Sequence, residues 1–121
     1  MKVVHLAEVP EREVTVNSSL FTGPATSQAA VTGRESQYNV AYIHFPEGVR
    51  NKFHSHSCDQ VLIVTEGRGF VATEDREEAL AVGDVALISA GEKHRHGAVA
   101  GSNMTHISIT AAGSKTEQLE E

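Results

Sequence analysis

The sequence predicts an all-β fold, a sandwich or barrel of short strands. Three features carry that expectation. Short apolar segments rich in Val, Ile and Thr are broken by Gly, Pro and Asn turn signals roughly every eight to twelve residues. Tyr38 to Phe45 and Met104 to Thr110 alternate between two distinct faces, the period of a strand. No stretch reads as a convincing long helix, and there is no internal repeat or linker. A chain of 121 residues is enough for one domain with one core. We assign residues 1–113 to that domain, with edge strands at its N-terminus, and residues 114–121 to a polar, acidic tail.

Taken in order, Val3-Val4 predicts a first strand, Pro10 to Glu13 a charged turn, and Val14 and Val16 a second strand running into Leu20-Phe21. Thr22-Gly23-Pro24 is a turn signal, and residues 25–36 are small and polar, as in a short edge strand or loop. Tyr38 to Phe45 is a strand with faces Val40, Tyr42, His44 and Ala41, Ile43, Phe45. Both are largely apolar, as for a strand covered on both sides. Pro46-Glu47-Gly48 turns the chain. The run from Val61 to Thr65 reads as a buried strand. Gly67-Arg68-Gly69 is expected to turn, with a short strand Phe70 to Thr73 after it. Glu74 to Glu78 reads as a solvated hairpin tip, Ala79 to Val82 as the return strand, and Val85 to Ser89 as the next. Ala90 to Lys93 and Gly101 to Asn103 are turns, and Met104 to Thr110 is the last strand. The tail from Gly113 is expected to be a frayed helical turn or disordered.

Composition excludes several functions. A net charge of −6 argues against nucleic acid, which requires a basic face. No apolar run approaches the roughly 18 residues of a membrane span and no signal segment opens the chain, so a cytoplasmic location is expected. The single Cys58 rules out an internal disulfide framework. Of seven histidines, five fall between His54 and His106.

The stretch from Gly48 to Gly67 is the most informative. His54, His56 and Gln60 share one parity, so an extended segment projects two imidazoles and an amide oxygen into one space. Polar groups beside a buried apolar strand are costly unless satisfied, and a divalent metal ion satisfies them. His5 and His44 read as ordinary, non-ligating histidines. Cys58 reads as a packed small residue, and Arg50 and Lys52 as solvated charges.

Two spaced motifs resemble the cupin superfamily. Gly48, His54, His56, Gln60 and Gly67 fit its first motif, with Gln60 where glutamate is usual. Gly83, Ser89-Ala90-Gly91 and His94 fit its second, with Ser89 where proline is usual. Phe21-Thr22-Gly23-Pro24, Gln60 to Gly67, Gly91 to Ala98 and Met104-Thr105-His106 further resemble a group of small, conserved-barrel cupins. That group includes manganese-dependent hydroxynitrile lyases and proteins associated with carboxymuconolactone decarboxylase, and glutamine is its usual third ligand. The resemblance implies a double-stranded β-helix, the cupin jelly-roll barrel, and a metal site of His54, His56, Gln60 and His94. It favours manganese or iron. The donors also suit Ni(II), Zn(II) or Cu(II), although four protein ligands would fill a tetrahedral zinc. It places Ala41, Ile43, Phe53, Leu62 and Thr110 around a substrate pocket. Small cupins of this kind are commonly homodimers, and residues 1–20 could add a strand to a partner.

Glutamine in place of glutamate leaves the ion its full charge, a stronger Lewis acid held less tightly. It also leaves proton transfer to other groups, and His96 and His106 are the candidate bases. The leading expectation is a metal-dependent lyase of the hydroxynitrile-lyase kind. The alternatives are a quercetinase-like or thiol-oxidising dioxygenase and a non-catalytic metabolite binder.

Overall fold

The computed structural model describes residues 1–14 and 18–121. Its strands are β1 (Arg12–Glu13), β2 (Thr26–Val31), β3 (Tyr38–Phe45), β4 (His54–His56), β5 (Gln60–Ala72), β6 (Glu77–Ala81), β7 (Val85–Ile88), β8 (Arg95–Ala98), β9 (Met104–Ala111) and β10 (Thr116–Gln118). All ladders are antiparallel. The all-β fold is as expected, and among the described residues no helix is long and apolar enough to cross a membrane.

β5 organises the barrel. Its first half lies between β9 and β7, in the sheet that continues through β3 and β2 to β1. Its second half lies between β6 and β8 in the facing layer. The expected turn at Gly67-Arg68-Gly69 is therefore not a turn. The strand runs through it and bends where its register against β9 shifts, between Val64 and Glu66. Gly67 sits at φ 72°, and a Cβ there would lie 1.9 Å from the Asn103 carbonyl oxygen. Glycine was required for left-handed backbone and close approach, which a sequence signal cannot distinguish from a turn.

The N-terminus differs from expectation. Val3-Val4 lies in no strand; a single 3-10 turn, Leu6–Glu8, precedes the two-residue edge strand β1. β1 falls inside the expected charged turn and pairs within its own chain, Arg12 opposite Ser27. Val16 lies outside the described residues, and Phe21 makes only an isolated bridge to Asn51. The tail is neither a helical turn nor disordered. Its residues 116–118 form β10, paired with β4.

The interior has two halves. Ala25, Phe45, Val64, Leu80, Ala98 and Met104 form the apolar half, with Phe21, Ile43, Val49 and Val71 packed against it. Burying side chains such as Phe45 and Met104 contributes roughly 1.5–3 kcal/mol each. The other half is lined with imidazoles: His54, His94 and His106 are among the largest fully buried side chains. Phe45 stands at the junction, its ring centroid 5.3 Å from His106 and 5.9 Å from His96.

Candidate metal centre

His54 and His56 share a face of β4. His94 comes from the segment just before β8, and it exchanges two backbone hydrogen bonds with His54, both 2.9 Å. The three imidazoles bring ligating nitrogens within 4.8 Å of one another. Gln60, first residue of β5, completes the group: its Oε1 lies 3.1 Å from His94 Nε2.

Hydrogen bonds behind these rings fix their protons. His54 Nδ1–H donates to the Lys52 carbonyl at 2.6 Å, and His94 Nδ1–H to the Glu92 carbonyl at 2.8 Å. A carbonyl oxygen only accepts, so both protons are on Nδ1 and both Nε2 atoms carry lone pairs. His56 Nδ1 meets Thr116 Oγ1 at 2.8 Å, and its Nε2 is buried without a hydrogen-bond partner among the described residues. Gln60 Nε2 donates to Ser108 Oγ at 2.9 Å, which turns Oε1 toward His94. Lone pairs therefore converge with no hydrogen between them. A cation satisfies such a set, so the residues present fit a metal ion.

The electrostatics agree. Burial lowers His54 to about 4, opposed by its bond to the Lys52 carbonyl. Burial also lowers His56, with His94 adding to it, and lowers His94 itself. All three are neutral near neutral pH, the form that ligates.

His96 and His106 lie one layer deeper. The His96 ring centroid is 5.6 Å from His54, 5.7 Å from His94 and 4.8 Å from His106. Asn51 orients it: its Oδ1 accepts the His96 backbone N–H at 2.8 Å, so its Nδ2 faces the ring, 3.1 Å from Nε2. His96 Nε2 is then an acceptor, and Nδ1–H donates to His106 Nε2 at 3.0 Å. That leaves the His106 proton on Nδ1, which is buried and makes no hydrogen bond among the described residues. Burial holds His96 well below the ordinary imidazole value and His106 at about 4.

The expected pocket residues divide. Register places Ala41 opposite Ser108, Ile43 opposite His106 and Leu62 opposite Ser108, so these share the inner face with Gln60. Thr110 is two residues beyond Ser108 on the same face. Phe53 has the opposite parity to His54, and its ring lies under Lys93 at 5.3 Å and Arg95 at 4.6 Å. Two clefts reach the cluster. One of about 400 Å³, bordered by Val71, Thr73, Arg76, Ala86, Ile88 and Glu92, reaches His94. One of about 480 Å³, between Ser55, Gly91, Lys115 and Glu117, reaches His56.

His44 is held away from the centre by Gln28 and Thr105, and His5 is exposed. Cys58 is half-buried and accepts the Ala111 N–H at 3.4 Å. Arg50 is not simply solvated; it pairs with Glu120 at 3.2 Å. Asn51, Ser108, Thr116 and Glu120 escaped the sequence reading. Each is a single polar residue whose partner is distant in sequence, and nothing local marks it.

The comparisons with known proteins agree with this geometry. Residues 41–110 match the cupin domain family model. The (R)-mandelonitrile lyase of Granulicella tundricola is 43% identical over 70 residues, 57% of this chain and 53% of that protein, so the chain spans about half its length. A cupin-like protein from Thermotoga maritima has 31% identity and a TM-score of 0.84, over 94% of this chain and 90% of its own. A polyketide cyclase from Streptomyces resistomycificus shares the fold at a TM-score of 0.86 with 17% identity, over 100% of this chain and 87% of its own. With its two motifs folded into one imidazole-lined barrel end, this chain belongs to the cupin domain family.

Proposed function

We propose that the chain is a metal-dependent lyase acting on small hydroxynitriles. The observation that carries this reading is the convergence of three neutral imidazoles and the Gln60 amide oxygen, with the His96 lone pair one layer away. Manganese or iron is the proposed ion, held by His54, His56, Gln60 and His94. Bound there, it would act as a Lewis acid on the substrate's hydroxyl oxygen.

The protein's part is proton handling. His96 is the base, because its lone pair meets a neutral amide N–H, that of Asn51 at 3.1 Å, whereas the His106 lone pair is occupied by the His96 N–H that fixes the tautomer. His96 Nε2 takes the hydroxyl proton as the carbon–carbon bond to the nitrile breaks. The electron pair of that bond leaves with cyanide, and the hydroxyl carbon becomes a carbonyl. His106 accepts the hydrogen bond of the imidazolium so formed. His96 then returns the proton to cyanide, giving hydrogen cyanide. The inner-face residues Ala41, Ile43, Leu62 and Thr110 would form an apolar wall for the substrate.

The 43% identity to a mandelonitrile lyase supports this class of substrate. The dioxygenase reading is weaker, since no carboxylate stands among the four donors to serve as its base.

The test is cleavage of mandelonitrile by protein loaded with Mn(II). The expected result is a rate well above free Mn(II) that is lost in His96→Ala. A rate no greater than that of free Mn(II) discards the reading.

A further inference from the structure

β4 carries two of the three imidazoles, and one of the two segments that flank it is the end of the chain. Among the described residues its only ladder partner is β10, with Thr116 opposite His56 and Gln118 opposite His54. On its other side it meets the 91–94 segment, through the bridge between His54 and His94 and the Gly91 N–H that donates to the His56 carbonyl at 2.8 Å.

β10 is itself pinned along its length. The Ser57 N–H donates to the Lys115 carbonyl at 2.9 Å, and the Lys115 N–H to Ser57 Oγ at 2.9 Å. The Leu119 N–H donates to the Phe53 carbonyl at 2.8 Å. Glu120 closes the far end: its carboxylate accepts the Phe53 N–H at 2.8 Å and pairs with Arg50 at 3.2 Å and Arg95 at 4.0 Å.

We infer that residues 114–120 are a strap that holds the metal centre, with Thr116 as the positioning residue for His56 and Glu120 as the lock. The inference rests on the metal reading above and deepens it. His54 and His94 are oriented by carbonyls close to them in sequence, whereas His56 is oriented by a hydroxyl 60 residues away. A metal on His56 Nε2 requires the ring proton on Nδ1, and Thr116 Oγ1, 2.8 Å away, accepts a hydrogen bond from that N–H. Strap docking and metal binding therefore favour each other, and the coupling is reciprocal.

The experiment uses the full chain as wild type, Thr116→Val, Thr116→Ser and Glu120→Gln. Mn(II) affinity is read from the electron paramagnetic resonance signal of the free ion. Docking of the strap is read from hydrogen exchange of the Leu119 amide. Thr116→Val should lose roughly 10–100-fold in Mn(II) affinity, while Thr116→Ser, which keeps the hydroxyl, retains it. Mn(II) should slow Leu119 exchange in the wild type, and less so in Glu120→Gln. Wild-type affinity in Thr116→Val, or Leu119 exchange indifferent to Mn(II), overturns the inference. Should Thr116→Val not fold, Glu120→Gln decides: affinity equal to wild type overturns the strap. A wild type that binds no Mn(II) removes the metal centre itself, an outcome distinguishable because it needs no variant.

Discussion

Acid should destabilise the metal-free protein progressively between about pH 6.5 and 4. His54 and His106 are held at about 4 by burial, against an ordinary value of 6.5 that the unfolded chain recovers. Below 6.5 the unfolded chain takes up protons that the folded barrel does not, so folding free energy falls with pH. The loss stops growing near 4, where the folded rings protonate too. Each unit is worth about 1.4 kcal/mol, so at about pH 5 each ring costs about 2 kcal/mol and the pair about 4 kcal/mol. His96, held well below its ordinary value, acts in the same direction. Glu120, held below 4.5 by the Phe53 N–H and Arg50, has its effect only at lower pH. For a domain of this size the pair alone should lower Tm by about 15 °C. The assay is urea and thermal unfolding of chelator-treated protein between about pH 7.5 and 5, with His106→Leu alongside. The variant should lose about 2 kcal/mol of the pH dependence, whatever its absolute stability. Equal midpoints at the two pH values, or an unchanged pH slope in His106→Leu, would refute the assignment of buried neutral imidazoles.

Three further outcomes are expected. Gln60→Glu should hold Mn(II) about tenfold or more tighter, because a full charge is added at low effective dielectric. It should also cleave mandelonitrile more slowly; chelator competition showing weaker retention would count against Gln60 as a ligand. Gly67→Ala forces left-handed backbone and a clash with the Asn103 carbonyl, and should cost about 3 kcal/mol or more in urea unfolding. A homodimer would be built on the outer face of the main sheet, where Val61 and Ile63 pair with Ile109 and Ile107 beside the exposed Val85 and Leu87. Leu87→Glu should then sediment as a monomer where the wild type sediments as a dimer.

Much of the barrel was legible because it rests on period-two patterns within single segments. β3 was bounded to the residue, and β9 to within one. His54, His56 and Gln60 could be grouped by parity alone; His94 came from the resemblance, because its approach to His54 is a tertiary contact between separate segments. What was not legible shares a cause. β10 is three polar residues with no apolar alternation, and what makes it a strand is the exposed edge of β4. Gly67 looks like a turn because glycine's freedom serves both turns and close approaches. The parity rule assigns Phe53 to the face opposite the ligands, and the basic side chains stacked on it could not be foreseen from sequence.

The five interior histidines are chemically alike in sequence and differ in where their protons are pinned. His54 and His94 give theirs outward to backbone carbonyls, which commits their lone pairs to the centre. His96 gives its proton deeper, to His106, which commits its own lone pair to the edge facing Asn51. An imidazole held this way is poorly placed to ligate but well placed to accept a proton, since the charge it gains is already hydrogen-bonded to a neutral acceptor. His106 has no lone pair left to offer, and its role is to hold the His96 tautomer. His56 alone is held by a hydroxyl, and ligation through its Nε2 requires Thr116 Oγ1 to accept from its Nδ1–H. Its commitment to the metal therefore depends on Thr116, and through it on the last residues of the chain.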